Sequence, residues 1–160
     1  MSDGTCAPIE LVPVIPGQAE AITEMARPIF DEVYAATPKD IVDEFFQLTQ
    51  TPERIREQIA SGTEYFFIMY DGERAGYLAY HPDDLGMYLS KLYLKKEFRG
   101  KGIGAKMLEH VEGIARGSGA ACVHLEVNVL RTSAQEFYRS HGYEVKEQLE
   151  YYRVIMQKRI

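Results

Sequence analysis

A loop with three alternate glycines constrains this chain more than any other feature of its sequence. Residues 100–104 read Gly-Lys-Gly-Ile-Gly, and they lie between a strand-like apolar run at residues 89–94 and a helical pattern that begins at Ile103. Glycine lets a ligand approach the backbone closely, and the first N–H groups of a helix have no partner within it. With Arg99 and Lys101 beside these groups, the loop is predicted to bind an anion.

Two common phosphate loops do not fit these residues. The nucleotide-binding loop Gly-x4-Gly-Lys-Ser/Thr, if started at Gly100, has Ala105 at its second glycine and Met107 in place of the hydroxyl that contacts magnesium. The dinucleotide motif Gly-x-Gly-x-x-Gly requires a different spacing and an early βαβ unit, which this sequence does not show. The loop therefore argues against nucleotide hydrolysis and against a nicotinamide cofactor.

Strand and helix patterns alternate along the rest of the chain. Strands are predicted at residues 9–14, 65–70, 73–80, 87–94, 121–129, 143–151 and 154–158, and helices at residues 22–33, 41–48, 52–60, 103–117 and 133–142. The Asp-Gly pair at residues 71–72 predicts a hairpin turn. Thr51 before Pro52 is a helix-start signal, and Ser133 with Glu136 predicts a capping box.

Four motifs occur in the order and spacing of one known family. They are Lys-Leu-Tyr-Leu at residues 91–94, Arg-x-x-Gly-x-Gly at 99–104, Leu-Glu-Val-Asn at 125–128 and Ala-x-x-Phe-Tyr-x-x-x-Gly-Tyr at 134–143. Over almost its whole length the chain resembles the GCN5-related N-acetyltransferases, the GNAT family. The resemblance implies a mixed α/β fold in a single domain, residues 1–160. Its sheet would be mixed but mostly antiparallel, with six to seven strands that splay apart between the fourth and the fifth, and about four helices would flank it.

The resemblance also implies acetyl-coenzyme A as the cofactor, held in the cleft between the splayed strands, and no metal. Main-chain groups of the fourth strand would bind the acetyl carbonyl and the pantetheine, and backbone N–H groups of the loop would bind the pyrophosphate with the helix dipole. The residues expected to bind the cofactor are Leu92, Tyr93, Leu94, Arg99, Gly100, Lys101, Gly102, Ile103, Gly104, Ala105, Asn128, Arg131 and Tyr138.

Tyr138 matches the position at which the family commonly has a tyrosine that protonates the departing thiolate. A thiol with a pKa of about 8.5 and a phenol near 10 are compatible with this role. The attacking amine must lose a proton, yet Ser90 stands where the family often has a glutamate. The predicted catalytic residues are Tyr138, Glu126 and Ser90, with His81 or a water relay as alternatives for the base.

The acceptor is predicted to be a primary amine of a small molecule. In this fold the first helices and the strand ends build the acceptor pocket, so Phe30, Tyr34 and Tyr88 are expected to contact the substrate. Carboxylates are common at the position of Ser90 and Lys91 in polyamine acetyltransferases of the family, and their absence here weakens a polyamine assignment.

One further departure from the family pattern follows the fifth predicted strand. Arg131 stands where the family usually has an asparagine, and Asn128 lies three residues earlier. Arg131 could reach a phosphate of the cofactor or an acidic group of the substrate, or it could be a surface residue.

Charge and composition limit the other partners. The chain has a formal net charge of −6 and no basic stripe with interleaved aromatic residues, which argues against nucleic acid as a partner. Neither a twenty-residue apolar span nor a signal-peptide pattern occurs, so a cytoplasmic protein with no membrane partner is expected. Cys6 and Cys122 are expected to be free thiols, and apolar residues around Tyr151 and Tyr152 are compatible with a homodimer.

Two alternatives to a small-molecule acetyltransferase stay open at this point. The missing glutamate at Ser90 is compatible with a catalytically silent module that binds coenzyme A as a sensor or partner domain. Acetylation of a protein, at its N-terminus or at a lysine, would require a broad acceptor groove. Thiol release from acetyl-coenzyme A separates the silent module from the enzyme.

Overall fold

One seven-stranded sheet organises the part of the chain that the computed structural model describes, residues 8–149 and 153–160. The strand order is β1-β2-β3-β4-β5-β7-β6, and all neighbours are antiparallel except β4 and β5, which are parallel. The strands are β1 (Ile9–Pro13), β2 (Glu64–Tyr70), β3 (Glu73–Pro82), β4 (Met87–Leu94), β5 (Cys122–Asn128), β6 (Glu144–Leu149) and β7 (Arg153–Arg159). The mixed, mostly antiparallel sheet is confirmed.

Five α-helices cover the two faces of the sheet in this part of the chain, matching the five helical patterns in the sequence, whereas the resemblance implied about four. They are α1 (Ala19–Val33), α2 (Lys39–Thr49), α3 (Pro52–Ala60), α4 (Ile103–Gly117) and α5 (Thr132–Ser140). Apolar residues of α1, α2 and α3 pack on one face, and those of α4 and α5 pack on the other. Within the described residues, none of the helices has the length and apolar character needed to cross a membrane.

Short-range signals in the sequence account for two of the three predicted caps and turns. The hairpin at residues 71–72 forms with φ of 51° and 81°, and the Thr51 hydroxyl accepts the Arg54 N–H at the start of α3. The predicted capping box at Ser133 is wrong, because α5 begins one residue earlier and no side chain caps it. The side chain of Asn128 instead accepts the Leu130 N–H, so the chain turns before Ser133 is reached.

Strands β4 and β5 are paired over only a short length, and the candidate site lies at the gap beyond the pairing. Only Met87 with Val123 and Tyr88 with His124 are paired between these strands. Beyond Tyr88 the two strands separate, which confirms the predicted splay. We call this gap, between residues 89–94 and residues 125–128, the splay. Backbone groups on the edge of β4 that faces it have no partner in β5.

Other expectations fall partly outside the described residues. Cys122 is a buried free thiol, as predicted, whereas Cys6 lies outside the described residues. Tyr151 and Tyr152, on which the expected dimer contact partly depends, also lie outside them. The homodimer therefore stays a prediction.

Candidate active site

The glycine loop presents a row of free donors at the N-terminus of α4. Within the described part of the chain, the backbone N–H groups of residues 100–105 donate no hydrogen bond, whereas the next N–H, that of Lys106, donates to the Gly102 carbonyl at 3.2 Å. Gly100 and Gly102 have φ of 76° and 80°, in the left-handed region. Successive N–H groups in such turns form a concave anion site, to which the helix dipole adds. We call residues 100–105 the cradle.

Arg99 supports the cradle from outside instead of belonging to it. Its N–H donates to the Lys96 carbonyl at 3.2 Å, so the row of free donors begins at Gly100. The Arg99 guanidinium donates to the Leu94 carbonyl at 2.9 Å and forms an ion pair with Glu32 at 2.6 Å. That ion pair holds the pKa of Glu32 below its usual range. The Arg99 N–H is therefore not one of the free donors, and the Arg99 side chain ties the loop to β4 and α1. A contact between Arg99 and the pyrophosphate stays a prediction.

Three tyrosines and one arginine lie together at the splay. The hydroxyls of Tyr34, at the end of α1, and of Tyr93, on β4, are 2.7 Å apart. The guanidinium carbon of Arg131 lies 5.4 Å from the ring centre of Tyr34 and 5.9 Å from that of Tyr93. Tyr138, about two turns along α5 from Arg131, is close enough for the charge of Arg131 to affect its pKa. The sequence alone could not predict this cluster, because its residues come from α1, β4 and α5, which are far apart in the chain.

Tyr138 carries a phenol without a hydrogen-bond partner among the described residues. Burial raises its pKa to about 12, and the charge of Arg131 acts in the opposite direction. Its ring packs against Phe137 and Tyr143, with ring centres 5.2 Å and 5.7 Å away. The phenol is therefore held in one place and stays protonated over the physiological pH range.

A cavity of about 430 Å³ adjoins the tyrosine cluster. Cavities of this size commonly bind small molecules. Apolar residues of α2 form one wall, and residues of β4, β5 and β7 form the other. The lining residues include Tyr34, Thr37, Ile41, Val42, Glu44, Phe45, Leu48, Thr49, Gln50, Gln58, Tyr88, Ser90, Lys91, Tyr93, Glu126, Val127, Asn128 and Arg153.

Of the three residues expected to contact the substrate, two line the cavity and one lies in the core. Tyr34 and Tyr88 line the cavity, as expected for substrate contacts. Phe30 has no exposed surface and packs behind Tyr34, with ring centres 4.8 Å apart. Phe30 therefore does not line this cavity and supports its wall from behind, and a contact between Phe30 and a substrate stays a prediction.

A β-bulge places two adjacent residues of β4 on the cavity side. The pairing of Ala79 with Lys91 and of Tyr80 with Leu89 leaves Ser90 as the extra residue. Ser90 and Lys91 both line the cavity, although strict alternation would place them on opposite faces. Alternation of apolar residues contains no signal for the bulge, so the inward direction of Lys91 could not be predicted.

Lys91 closes the floor of the cavity with a buried amine. Its Nζ donates to the Thr49 carbonyl, to Gln58 Oε1 at 3.0 Å and to the Tyr65 hydroxyl. The residue is 4% exposed, and burial lowers its pKa to about 7. These hydrogen bonds hold α2, α3 and β2 to β4, and so they fix the shape of the cavity floor.

The Lys91 pKa predicts how stability changes with pH. An unfolded lysine keeps its proton to about pH 10.4, whereas folded Lys91 loses it near 7. The unfolded chain binds more protons between these values, so the free energy of unfolding should rise with pH by up to about 1.4 kcal/mol per unit. Urea unfolding at about pH 7 and pH 9 tests this. Lys91→Met should remove most of the rise, and Lys106→Met, on the surface of α4, should keep it. An equal rise in both variants would contradict the assignment.

The candidate bases differ in their access to the cavity. Glu126 lines it, forms an ion pair with Arg153, and accepts a hydrogen bond from the Tyr88 hydroxyl at 3.4 Å. His81 is not a lining residue, and its Nδ1 lies 3.0 Å from the Pro82 carbonyl oxygen. The Asn128 side chain lines the cavity, but its amide already donates to the Thr37 hydroxyl at 3.1 Å and its oxygen accepts the Leu130 N–H.

Comparison with known proteins identifies the family. The model of the Acetyltransferase (GNAT) family matches residues 20–143. The chain belongs to this family. An uncharacterised N-acetyltransferase from the region 3′ of pepI in Lactobacillus delbrueckii subsp. lactis is 26% identical over 145 residues, which cover 84% of this chain and 83% of that protein. This GNAT protein is an acetyltransferase that uses acetyl-coenzyme A.

Solved structures show the same fold. The PaiA N-acetyltransferase of Thermoplasma acidophilum, crystallised with coenzyme A, matches with a TM-score of 0.84 and 21% identity over 96% of this chain and 99% of that chain. A GCN5-related N-acetyltransferase from Rhodopseudomonas palustris matches with a TM-score of 0.76 and 16% identity, covering 98% and 97% of the two chains. At these identities the likeness establishes the fold of this GNAT protein and leaves its acceptor open.

Proposed function

We propose that this acetyltransferase transfers the acetyl group of acetyl-coenzyme A to a primary amine of a small molecule. The observation that carries the proposal is the cavity of about 430 Å³, which adjoins the splay where Tyr34 and Tyr93 line it. A bound amine there would lie beside the open edge of β4. The cavity has a floor at Lys91 and an apolar wall from α2, features that suit a small acceptor better than a polypeptide segment.

The free donors match the chemistry of the acyl donor. Its pyrophosphate requires several free N–H groups, and the cradle has six N–H groups that donate no hydrogen bond. A Cβ atom added at Gly100 or Gly102 would meet no protein atom within 4 Å, so the space above the cradle is open. Main-chain groups of Leu92, Tyr93 and Leu94 would bind the acetyl and pantetheine amides along the splay.

Tyr138 would act as the general acid of the reaction. Acetyl-coenzyme A supplies an activated acyl group, and its thiol leaves when the amine attacks. The Tyr138 phenol is protonated at neutral pH and has no competing partner among the described residues. It lies beside Arg131 at the splay, and so we place proton delivery to the sulfur there.

Glu126 would act as the base that takes the proton from the amine. It is a carboxylate on the cavity wall, and the neighbouring Ser90 hydroxyl could hold a relay water. Glu126→Gln should lower the turnover number about 100-fold at neutral pH, whereas His81→Asn should change it less than about twofold. Steady-state rates between about pH 6 and pH 9 measure both. Equal losses in the two variants, or none in Glu126→Gln, would exclude Glu126 as the base.

The charges of the cavity also limit the acceptor. The wall contains the Lys91 amine and the Arg153 guanidinium, and of its two carboxylates Glu126 is already paired with Arg153, which leaves Glu44. A polyamine has several cationic groups that would require free carboxylates along the cavity. We therefore expect a monoamine with an apolar portion that packs against Ile41, Phe45 and Leu48.

A panel assay tests the function. Thiol release from acetyl-coenzyme A is followed with monoamines, diamines, peptides and amine-bearing antibiotics at equal concentration. Amine-dependent release with monoamines above the other classes supports the proposal. Release with peptides alone would replace it with protein acetylation. Tight coenzyme A binding without release for any acceptor would favour a silent binding module.

A further inference from the structure

Arg131 is a partly buried cation without a carboxylate partner. Among the residues that the structure describes, no aspartate or glutamate forms an ion pair with it. Glu32 is close enough for its pKa to respond to Arg131, but the Glu32 carboxylate is bound by Arg99 at 2.6 Å. Partial burial of an unpaired guanidinium costs free energy, so its presence here requires an explanation.

The aromatic contacts of Arg131 involve only the face of its guanidinium. Its guanidinium lies against the rings of Tyr34 and Tyr93, with the central carbon 5.4 Å and 5.9 Å from the ring centres. These distances are compatible with cation–π attraction, which uses the face of the guanidinium. Apart from a hydrogen bond to the Tyr34 hydroxyl, which contributes to the pKa of Arg131, the N–H groups at the edge of the plane have no partner among the described residues. They are donors for an anion.

The ionisable groups around Arg131 are all phenols or already paired. Tyr34 on the α1 side, Tyr93 on β4 and Tyr138 on α5 face it, and burial raises the pKa of Tyr93 and Tyr138. The charge of Arg131 also lowers the pKa of the Glu32 carboxylate, on α1. The positive charge therefore acts on whatever negative charge develops at the splay, next to the Tyr138 phenol.

We propose that Arg131 stabilises the negative charge that develops on sulfur as the thioester is cleaved, and that it acts together with Tyr138. The inference rests on the proposed function. In the reaction, the amine nitrogen forms a bond to the acyl carbon, the C–S bond breaks, and its electron pair goes to sulfur. Tyr138 passes its proton to sulfur as it takes up, through solvent, the proton that the amine lost to the base, so that no phenolate is left. The arginine lowers the free energy of the charged sulfur before the proton arrives.

The pKa of the thiol of bound coenzyme A tests this role of Arg131 without catalytic turnover. This pKa is measured from the ultraviolet absorbance of the thiolate, with S-methyl coenzyme A on the same protein as the blank. A cation beside the sulfur should place the bound thiol pKa below that of the free thiol, about 8.5 by analogy with cysteine. Arg131→Gln should raise the bound value by about one unit, a tenfold change in the thiolate-to-thiol ratio. Arg131→Lys, which keeps the charge, should restore most of the shift.

Several outcomes would overturn the inference. An unchanged thiol pKa in Arg131→Gln, with coenzyme A still bound, would show that the arginine does not act on sulfur, and the proposed function would stand. A rise in KM confined to acceptors that bear a carboxylate, again with an unchanged thiol pKa, would assign Arg131 to the acceptor. Failure of the unmodified protein to bind coenzyme A would instead remove the proposed function itself. Circular dichroism and thermal unfolding of each variant separate all of these results from loss of fold.

Discussion

Replacing Tyr138 with phenylalanine should lower the turnover number about 100-fold, while coenzyme A binds with nearly unchanged affinity. The substitution removes only the hydroxyl, and that hydroxyl has no partner among the described residues that would be left unsatisfied. The ring keeps its contacts with Phe137 and Tyr143, so the fold should be unaffected. Pre-steady-state acetyl transfer and calorimetric titration with coenzyme A measure the two quantities separately.

Tyr143→Phe is the matched control for this variant. Tyr143 is a neighbouring tyrosine, but its hydroxyl donates to Glu112 Oε2 at 2.9 Å in the core behind α4. Its removal should lower the free energy of unfolding by about 1.5–3 kcal/mol, the usual value for a hydrogen bond to a charged group, and leave turnover intact. An unchanged turnover number in Tyr138→Phe would remove Tyr138 from the mechanism, even if the control behaves as expected.

Replacing Gly102 with valine should weaken coenzyme A binding more than about 100-fold. Gly102 precedes α4 with φ of 80°, a conformation that costs a β-branched residue about 1–3 kcal/mol. The free N–H groups on either side depend on that conformation, and each charge-assisted hydrogen bond to phosphate contributes roughly 1.5–3 kcal/mol. A valine side chain would also fill the open space above the cradle. Calorimetry with coenzyme A measures the loss.

Gly113→Ala provides the corresponding control on the same helix. A Cβ atom at Gly113 meets nothing within 4 Å, and its φ is not in the left-handed region. Alanine in a helix interior should raise the free energy of unfolding by up to about 1 kcal/mol and leave coenzyme A affinity unchanged. If Gly102→Val binds coenzyme A as tightly as Gly113→Ala does, the pyrophosphate does not bind at the cradle.

Features set by neighbouring residues could be predicted from the sequence. The hairpin at residues 71–72, the Thr51 cap and the free donors at residues 100–105 depend on local backbone conformation, which glycine, proline and short polar residues specify. The mostly antiparallel sheet and the splay followed from four spaced motifs and their family. Local backbone conformation and family resemblance together therefore gave the candidate cofactor site.

Features set by distant residues could not be predicted in this way. The bulge at Ser90 depends on how β3 pairs with β4, and it turns Lys91 towards Thr49 and Gln58. Arg99 was assigned to the anion site because of its position, yet its guanidinium forms an ion pair with Glu32, 67 residues away. Such assignments require the three-dimensional arrangement, because nothing in the local sequence distinguishes a supporting arginine from a binding one.

The most direct test of the proposed activity follows the acetyl group itself. Acetyl-coenzyme A with an isotopically labelled acetyl group is incubated with the protein and a mixture of small monoamines, and the products are identified by mass spectrometry. We expect the label on the nitrogen of a monoamine, with one thiol released per labelled amide, and loss of both in Gly102→Val. Label found only on polypeptides, or no labelled amide although coenzyme A binds, would contradict the proposed activity.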